Sequence, residues 1–359
     1  MRITFFSTKP YDSANFTAAA SSAKWAQRLP TELVFHTQPL TLATVHLAKN
    51  SQAVCVFVND DCGAPVLQAL HAAGVRLLLL RCAGFNNVDL AAADALGLAV
   101  MRVPRYSPNA VAEHAVTLAM ALNRRIVSAC NRVKQFNFSL EGLQGFDVAK
   151  RTVGVVGTGA IGKITARIMI GFGAKVLLFD QYPDRAWAQK LKGSAVYVPF
   201  DELLRRSDII SLHMPMTPQS RHIINANTIR TMKHGVMLIN TSRGGLLDTP
   251  AVIEGLVSGQ IGYLGIDVYE NETPYFFQDH SGRVMKDPVL ARLLSFPNVI
   301  MTAHQAFMTE DAMQAISNVS LENAEMFLKG TWAGNPNQCT QQKGAAPARQ
   351  PVAMPAARL

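Results

Sequence analysis

A glycine-rich turn between a strand and a helix does most to limit which folds this chain can adopt. The apolar stretch 153–157 reads VGVVG and is typical of a buried strand, and the turn GTGAIG, Gly157 to Gly162, follows without a gap. Residues 163–172 fit a helix, and a second apolar strand follows at 175–179. A strand, a helix and a second strand in this order predict a parallel sheet and an α/β fold.

The chemistry of this turn indicates a dinucleotide site. Gly157 permits the tight turn out of the strand, Gly159 lets the backbone approach a pyrophosphate, and Gly162 lets helix and strand pack closely. Asp180 ends the second strand, where a carboxylate would bond ribose hydroxyls and repel a 2′-phosphate, so NAD is favoured over NADP. We therefore expect NAD as the cofactor, bound by Gly157, Thr158, Gly159, Ala160, Ile161, Gly162 and Asp180.

Two series of alternating strand-like and helix-like segments run along the chain. The first contains three predicted strands and a helix, at 2–7, 53–58, 75–81 and 64–73. The second series runs from Thr152 to Thr302, and a last helix is predicted at 311–328. A chain of 359 residues is long enough for two cores. The two series predict two doubly wound parallel-sheet domains.

The segments outside these series also carry a pattern. Ser107 as N-cap and Pro108 as first helical residue predict a long helix from Asn109 to Val127. This helix is apolar on more than one face, so we expect a second surface to cover it in a homodimer or homotetramer. Beyond Gly330 the sequence is rich in Ala, Pro and Gln, which predicts a disordered tail.

Composition argues against several other classes of protein. The net charge is +9, but the basic residues are spread along the chain, so we expect no nucleic-acid partner. The longest purely aliphatic run is Leu77 to Leu80, far short of the roughly 20 residues of a membrane span. The five cysteines show no metal-binding spacing. We expect a cytoplasmic protein with reduced thiols and no metal site.

Polar residues follow several predicted strands of the second series. Arg243, Asp267 and His304 each come at a strand end, and Glu272 lies five residues after Asp267. Because ligands of open α/β sheets collect beyond the carboxyl ends of the strands, we expect these residues to form the active site. Asp267 is suitably placed to bond the carboxamide of the nicotinamide.

This set of residues suits the reduction of a 2-keto acid. Hydride delivery to a ketone carbon leaves charge on its oxygen, so a proton donor must stand beside it, and His304 is the natural donor. Glu272 on the far ring nitrogen would set the tautomer, and the planar guanidinium of Arg243 would grip the substrate carboxylate. Backbone amides of Ala83 and Gly84, in the turn CAGFNN, would hold the same carboxylate from the other domain.

These motifs resemble those of the D-isomer-specific 2-hydroxyacid dehydrogenases, and within them the fermentative D-lactate dehydrogenases. The resemblance covers the chain up to about Gly330 and rests on RCAGFNNVDL, VPRYSPNAVAEHA, GVVGTGAIG, LINTSRGGLLD, GIDVYENE and TAHQAF. It implies that Arg243 binds substrate, that Glu272 pairs with His304, and that His304 is the acid/base. It also implies that Tyr106 helps to bind substrate.

The same resemblance implies how the domains are arranged. A Rossmann-type NAD domain would be inserted into a flavodoxin-like, split substrate domain. We expect the substrate domain at 1–103 and 302–332, the NAD domain at 104–301, and a disordered Ala/Pro/Gln-rich tail at 333–359. Family members are typically dimers or tetramers.

Some further expectations complete the assignment. We expect Pro215, Thr241 and Ser242 to bind the cofactor as well, and Phe307 to bind substrate. The expected activity is the reversible, NADH-dependent reduction of pyruvate to D-lactate. Alternatives are a longer 2-keto acid, glyoxylate or hydroxypyruvate, or phosphoglycerate as substrate. Outside catalysis, an NAD-sensing corepressor or scaffold with the same fold stays open.

Overall fold

The computed structural model describes residues 1–340, which fall into two compact units. Unit 1 comprises Met1–Tyr106 and the described residues from Glu310 onward, and unit 2 comprises Ser107–Thr309. The domain boundaries expected after 103 and 301 are therefore found after 106 and 309. The second shift has a physical cause: the turn after the last strand of unit 2 is hydrogen-bonded to unit 2.

Short strands and helices alternate along most of the chain. The strands are β1 (Arg2–Phe5), β2 (Glu32–Phe35), β3 (Ala53–Val56), β4 (Leu77–Leu80), β5 (Ala99–Arg102), β6 (Thr152–Val156), β7 (Lys175–Phe179), β8 (Ala195–Tyr197), β9 (Ile209–Leu212), β10 (Val236–Asn240), β11 (Ile261–Ile266) and β12 (Val299–Met301). The helices are α1 (Pro10–Ala20), α2 (Ala23–Ala26), α3 (Ala64–Ala72), α4 (Leu90–Leu96), α5 (Pro108–Asn123), α6 (Ile126–Lys134), α7 (Ala160–Gly171), α8 (Arg185–Gln189), α9 (Phe200–Arg206), α10 (Ala226–Thr231), α11 (Thr249–Ser258), α12 (Pro288–Leu294) and α13 (Glu310–Leu328).

Unit 1 is built on a five-stranded parallel sheet in the order β2-β1-β3-β4-β5. This is the flavodoxin-like order. The inner strands β3 and β4 are apolar and buried along their whole length, as is typical of parallel strands covered on both faces. Neither edge strand, β2 nor β5, was predicted from the sequence, although each has four residues, the same length as β3 and β4.

Unit 2 contains a seven-stranded parallel sheet in the order β12-β11-β10-β9-β6-β7-β8. The strand order reverses between β6 and β9, which are neighbours in the sheet. In doubly wound folds this switch point opens a crevice at the carboxyl ends of the strands, where nucleotides bind. The glycine-rich turn follows β6 and therefore lies at that crevice. The predicted fold class, two doubly wound parallel-sheet domains, is confirmed.

The helix predicted from Asn109 to Val127 is two helices. Helix α5 begins as expected, with the Ser107 hydroxyl accepting a hydrogen bond from the Ala110 amide at 3.2 Å. It ends before Arg124, and Arg125 adopts a positive φ of 51°, which separates α5 from α6. Helix α5 packs against α7, β10 and β11 of its own unit. These contacts bury one side of α5, and the expectation that a second surface covers the helix in an oligomer stays a prediction.

The segment 333–340 is placed against the edge of the unit 1 sheet. Gln338 forms an antiparallel bridge with Met101, and the Cys339 amide donates to the Val100 carbonyl at 2.8 Å. Thr340 is buried. The expected disorder is thus wrong for 333–340, because the unpaired backbone groups of edge strand β5 find partners there. The rest of the expected tail, 341–359, lies outside the described residues.

Candidate active site

The three glycines of the turn after β6 have different surroundings. Gly157 has φ 93°, and a Cβ there would lie 2.6 Å from the His213 carbonyl. A Cβ on Gly162 would overlap the Gly157 carbonyl oxygen. Gly159, the N-cap of α7, would instead place a Cβ in open space, with no atom within 4 Å. Packing therefore requires the outer two glycines, whereas the middle one leaves room for a ligand at a helix N-terminus.

Asp180 lies over this turn. Its Oδ2 accepts hydrogen bonds from the Thr158 amide at 2.5 Å and the Thr158 hydroxyl at 3.0 Å. Its Oδ1 accepts from the Tyr182 amide at 2.8 Å. The side chain is partly exposed at the end of β7. A carboxylate held beside the turn can accept hydrogen bonds from ribose hydroxyls, and its negative charge repels a 2′-phosphate.

Two buried polar atoms at the carboxyl edge of the unit 2 sheet have no hydrogen-bond partner among the described residues. One is Oγ1 of Thr241, just after β10, and the other is Nδ1 of His213, just after β9. Because buried polar groups are normally satisfied, these two atoms indicate a missing polar ligand. Together with the open space at Gly159, they fit a dinucleotide bound across the switch point.

His213 is neutral near neutral pH. Burial lowers its pKa to about 4, and its Nε2 lies 2.8 Å from the Ser211 hydroxyl. His213 was not predicted as a cofactor residue; of those that were, Ser242 donates its hydroxyl to the Leu212 carbonyl at 2.8 Å. Pro215 is exposed beyond β9, and its carbonyl accepts from the Ser220 hydroxyl at 2.9 Å. All of these residues lie beyond the carboxyl ends of β9 and β10.

His304 and Glu272 form a hydrogen-bonded pair in unit 2. His304 Nδ1 lies 2.7 Å from Glu272 Oε1, and both side chains are mostly buried. The other carboxylate oxygen, Oε2, accepts from the Tyr269 amide at 3.0 Å. With Nδ1 committed to the carboxylate, Nε2 is the nitrogen that can exchange a proton with another group; it has no hydrogen-bond partner among residues 1–340.

Asp267 holds the turn that carries His304. Its two carboxylate oxygens are fully buried and accept hydrogen bonds from the Gln305 and Ala306 amides, both at 2.9 Å. The Thr302 hydroxyl donates to the same carboxylate at 2.5 Å. These bonds keep His304 at a positive φ of 53°, a conformation that is costly for a residue with a side chain. Asp267 was predicted to bind nicotinamide; its role in fixing the turn that carries His304 was not predicted.

Three further residues that the sequence analysis did not assign to the site support it. His114 on α5 lies with Nε2 2.9 Å from the Thr302 hydroxyl, so it braces the same turn. The ring of Phe277 lies 5.9 Å from the His304 ring, where it shields one side of the imidazole. The Tyr269 hydroxyl donates to Asp287 at 2.8 Å, which anchors the backbone that binds Glu272. The run of aromatic residues after Glu272 was the sequence feature from which Phe277 could have been predicted to lie at the site.

Arg243 lies in the loop after β10, following Thr241 and Ser242, and is partly exposed. Its Nη1 donates to the Ser242 carbonyl at 2.7 Å, and its own carbonyl accepts from Asn240 Nδ2 at 2.9 Å. The next residue, Gly244, packs so closely on the Tyr269 backbone that a Cβ would overlap it. The loop of Arg243 and the segment that holds Glu272 therefore lie in contact within unit 2.

Three of the remaining predicted substrate residues lie in unit 1, and one lies in unit 2. Ala83 and Gly84 follow β4 at the carboxyl edge of the unit 1 sheet, and Tyr106 is the last residue of the first part of unit 1. Phe307 lies in unit 2, next to buried Ala306, and its carbonyl accepts from the Thr309 amide at 2.8 Å. Each is thus placed near a strand end or a domain boundary of its own unit.

Residues 1–340 contain neither a cluster of metal ligands nor a membrane-spanning helix. In that part of the chain no three His, Cys, Asp or Glu side chains are grouped so that they could hold a metal ion. Nor does any helix in the same range have the length and apolar character needed to cross a membrane. None of the five cysteines, all of which lie within residues 1–340, forms a disulfide bond.

Comparison with known proteins gives a consistent result. Residues 116–306 match the family described as D-isomer specific 2-hydroxyacid dehydrogenase, NAD binding domain. The chain is 48% identical over 328 residues to 2-hydroxyacid dehydrogenase A of Aspergillus oryzae, covering 91% of this chain and 92% of that protein. It is 47% identical over 335 residues to D-lactate dehydrogenase of Escherichia coli, covering 93% and 99%.

A solved structure is similar over nearly its whole length. The apo-structure of D-lactate dehydrogenase from Escherichia coli is 45% identical, with a TM-score of 0.84, covering 95% of this chain and 100% of that one. The predicted family and the predicted cofactor NAD are both confirmed. The chain belongs to the D-isomer specific 2-hydroxyacid dehydrogenases, a family of NAD-dependent oxidoreductases.

Proposed function

We propose that this protein is a D-lactate dehydrogenase that reduces pyruvate to D-lactate with NADH, and that it runs the reverse reaction with NAD. The observation that carries the proposal is the His304–Glu272 pair in the same unit as the glycine-rich turn. Relatives named D-lactate dehydrogenase, in Escherichia coli and Curvularia clavata, support the choice of substrate.

In this mechanism, bound NADH supplies the hydride for the carbonyl carbon. His304 gives the proton on Nε2 to the carbonyl oxygen, while Glu272 holds Nδ1 and so keeps the ring in one orientation. Arg243 binds the substrate carboxylate through its planar guanidinium. The Ala83 and Gly84 amides bind the same carboxylate, and Tyr106 and Phe307 contact the substrate. In the oxidative direction neutral His304 accepts the proton from the hydroxyl group.

The remaining cofactor residues act as binding groups. The amides after Gly159 would donate to the pyrophosphate, and Asp180 would accept hydrogen bonds from the ribose hydroxyls. Thr241, Ser242 and Pro215 would contact the nicotinamide half of the cofactor, and Asp267, which holds the His304 turn, would also bind the carboxamide.

The substrate is tested with a panel of 2-keto acids and NADH, followed by chiral analysis of the product. We expect pyruvate to give the highest kcat/KM and D-lactate to be the only enantiomer formed. A higher kcat/KM for phenylpyruvate, a longer 2-keto acid, glyoxylate, hydroxypyruvate or the phosphoglycerate pair would assign that substrate instead. NADH binding without turnover of any of them would favour the NAD-sensing scaffold.

We also propose that the protein is a cytoplasmic homodimer or homotetramer. The expected interface is the helix region Asn109–Val127, and we extend it to α6 and the segment that follows α6. Exposed apolar side chains are concentrated on α6 and the segment after it: Ile126, Val127, Val133, Phe136, Phe138 and Leu140. Such a patch is typical of a protein–protein interface. Cell fractionation that placed the protein with the membranes would contradict the cytoplasmic part.

A further inference from the structure

The turn after β4 in unit 1 has an unusual division between its carbonyl and amide groups. Its carbonyls are occupied: that of Ala83 accepts from Arg102 Nη1 at 2.9 Å, and that of Gly84 accepts from the Cys82 thiol at 3.2 Å. The Ala83, Gly84 and Phe85 amides donate to no acceptor in the described part of the chain. The turn therefore presents hydrogen-bond donors at the carboxyl edge of the sheet, where ligands bind.

Arg102, the last residue of β5, is held in place at both ends. Its backbone amide donates to the Asn337 carbonyl at 2.8 Å, and its carbonyl accepts from Asn323 Nδ2 at 2.9 Å. Its guanidinium carbon lies 4.9 Å from the centre of the Phe85 ring. With the ring on one side and the Ala83 carbonyl at Nη1, the guanidinium has little freedom to turn.

The charge of Arg102 is not neutralised by a neighbouring acid. Among residues 1–340 it forms no ion pair, whereas Arg81, which precedes the same turn, is paired with Asp12 at 3.3 Å. Arg81 is also fully buried and donates to the Ser7 carbonyl at 3.0 Å. Of the two arginines at this turn, Arg81 has its charge balanced by Asp12, whereas no carboxylate within residues 1–340 balances the charge of Arg102.

A peptide group transmits this charge to the outer face of the turn. The Ala83 carbonyl and the Gly84 amide belong to one planar trans peptide, so they point in opposite directions. A guanidinium donor fixes the direction of the carbonyl and polarises the whole group, which strengthens the amide as a donor. The Gly84 amide is therefore oriented and made more positive by Arg102.

We infer that Arg102 is a positioning residue for the substrate carboxylate, acting through the Ala83–Gly84 peptide. The inference rests on the proposed function, since it takes the carboxylate of a 2-keto acid as the ligand of these amides. It adds a source of positive charge in unit 1 that does not touch the substrate. Binding of the 2-keto acid, and not binding of NADH, is the step that depends on it.

The test uses the full-length protein with NADH and oxamate, an unreactive analogue of pyruvate, and measures binding by calorimetry. Arg102→Leu removes both the donor and the charge, so we expect oxamate to bind about 10-fold more weakly, in line with the loss of a hydrogen bond to a charged group. The KM for pyruvate should rise by a similar factor, kcat should change less, and the Kd for NADH should stay as in the wild type.

Two further variants separate positioning from a general effect on folding or charge. Arg102→Gln keeps a neutral donor, so its oxamate Kd should lie between those of the wild type and Arg102→Leu; it also serves if the leucine variant fails to fold. Arg76→Gln is the matched control: Arg76 also donates to backbone carbonyls in unit 1, those of His71 at 2.8 Å and Val75 at 2.9 Å, but before β4 and not after it. It should bind oxamate as the wild type does.

The outcomes distinguish this inference from the proposed function. If the wild type neither binds oxamate nor reduces pyruvate, the proposed function fails and the inference fails with it. If the wild type does both, wild-type oxamate affinity in folded Arg102→Leu or Arg102→Gln overturns the role of Arg102 alone. An equal loss of affinity in Arg76→Gln also overturns it, because the effect would then be one of net charge.

Discussion

Gly159 and Gly162 lie in one turn, yet a methyl group would meet different surroundings at each. In Gly162→Ala the Cβ would overlap the Gly157 carbonyl, so the free energy of unfolding should fall by about 1–3 kcal/mol, the cost of overpacking. In Gly159→Ala the Cβ would enter open space that the pyrophosphate needs, so the protein should fold normally but bind NADH at least 10-fold more weakly.

Thermal unfolding and NADH fluorescence titration check this pair, and each variant is the control for the other. Wild-type NADH affinity in Gly159→Ala would contradict the placement of the pyrophosphate. Wild-type stability in Gly162→Ala would contradict the close contact between helix and turn.

The site residues that follow strands could be predicted from the sequence, whereas the residues that keep those side chains in position could not. His304, Glu272 and Arg243 could be predicted because each comes directly after an apolar strand or soon after one. His114 contacts Thr302 across 188 positions of sequence, so no local pattern predicts the pair. Arg102 was missed because it ends an edge strand that was itself missed.

Among the helices, α6 and the segment after it are the place where association is expected. Phe136 is 84% exposed and has a positive φ of 58°, so its ring projects from the surface of unit 2. Phe136→Asp should convert an oligomer into a particle of about the chain mass, 39.0 kDa, because a carboxylate is costly to bury in an apolar contact.

Light scattering after size-exclusion chromatography measures this mass. Leu42→Asp is the control, since Leu42 is 57% exposed but belongs to unit 1 and not to α6 or the segment after it. A wild type that is already monomeric, or a Phe136→Asp variant with the wild-type mass, would contradict the proposed interface.

The errors in predicting elements have related causes. Nothing in the residues around Arg125 marks the end of α5; there Arg125 has a positive φ of 51°, and its guanidinium lies 4.6 Å from the centre of the Tyr263 ring of the same unit. The segment 333–340 lacks an apolar period because it pairs through its backbone with β5, and such pairing leaves little trace in sequence. The apolar strands β3, β4 and β6, by contrast, were readable because both faces of a parallel sheet are covered.

For the whole molecule, the division into two parallel-sheet units was predictable, but the strand order was expected only through the family resemblance. The boundary before Glu310 differs from the expected one because Asp267 binds the turn after β12 to unit 2. That turn carries His304, so the proposed acid/base, its partner Glu272 and the glycine-rich turn all belong to one unit. The central claim is that this unit holds its proton donor in place before substrate arrives.

Replacing the proton donor tests that claim most directly. In His304→Asn, steady-state kinetics with pyruvate should show kcat lowered by roughly 10²–10⁴, while the Kd for NADH stays unchanged; His46→Asn, at an exposed histidine of unit 1, should keep wild-type values for both. A His304→Asn protein with kcat within a few-fold of the wild type would show that the proton comes from another group and would contradict the account.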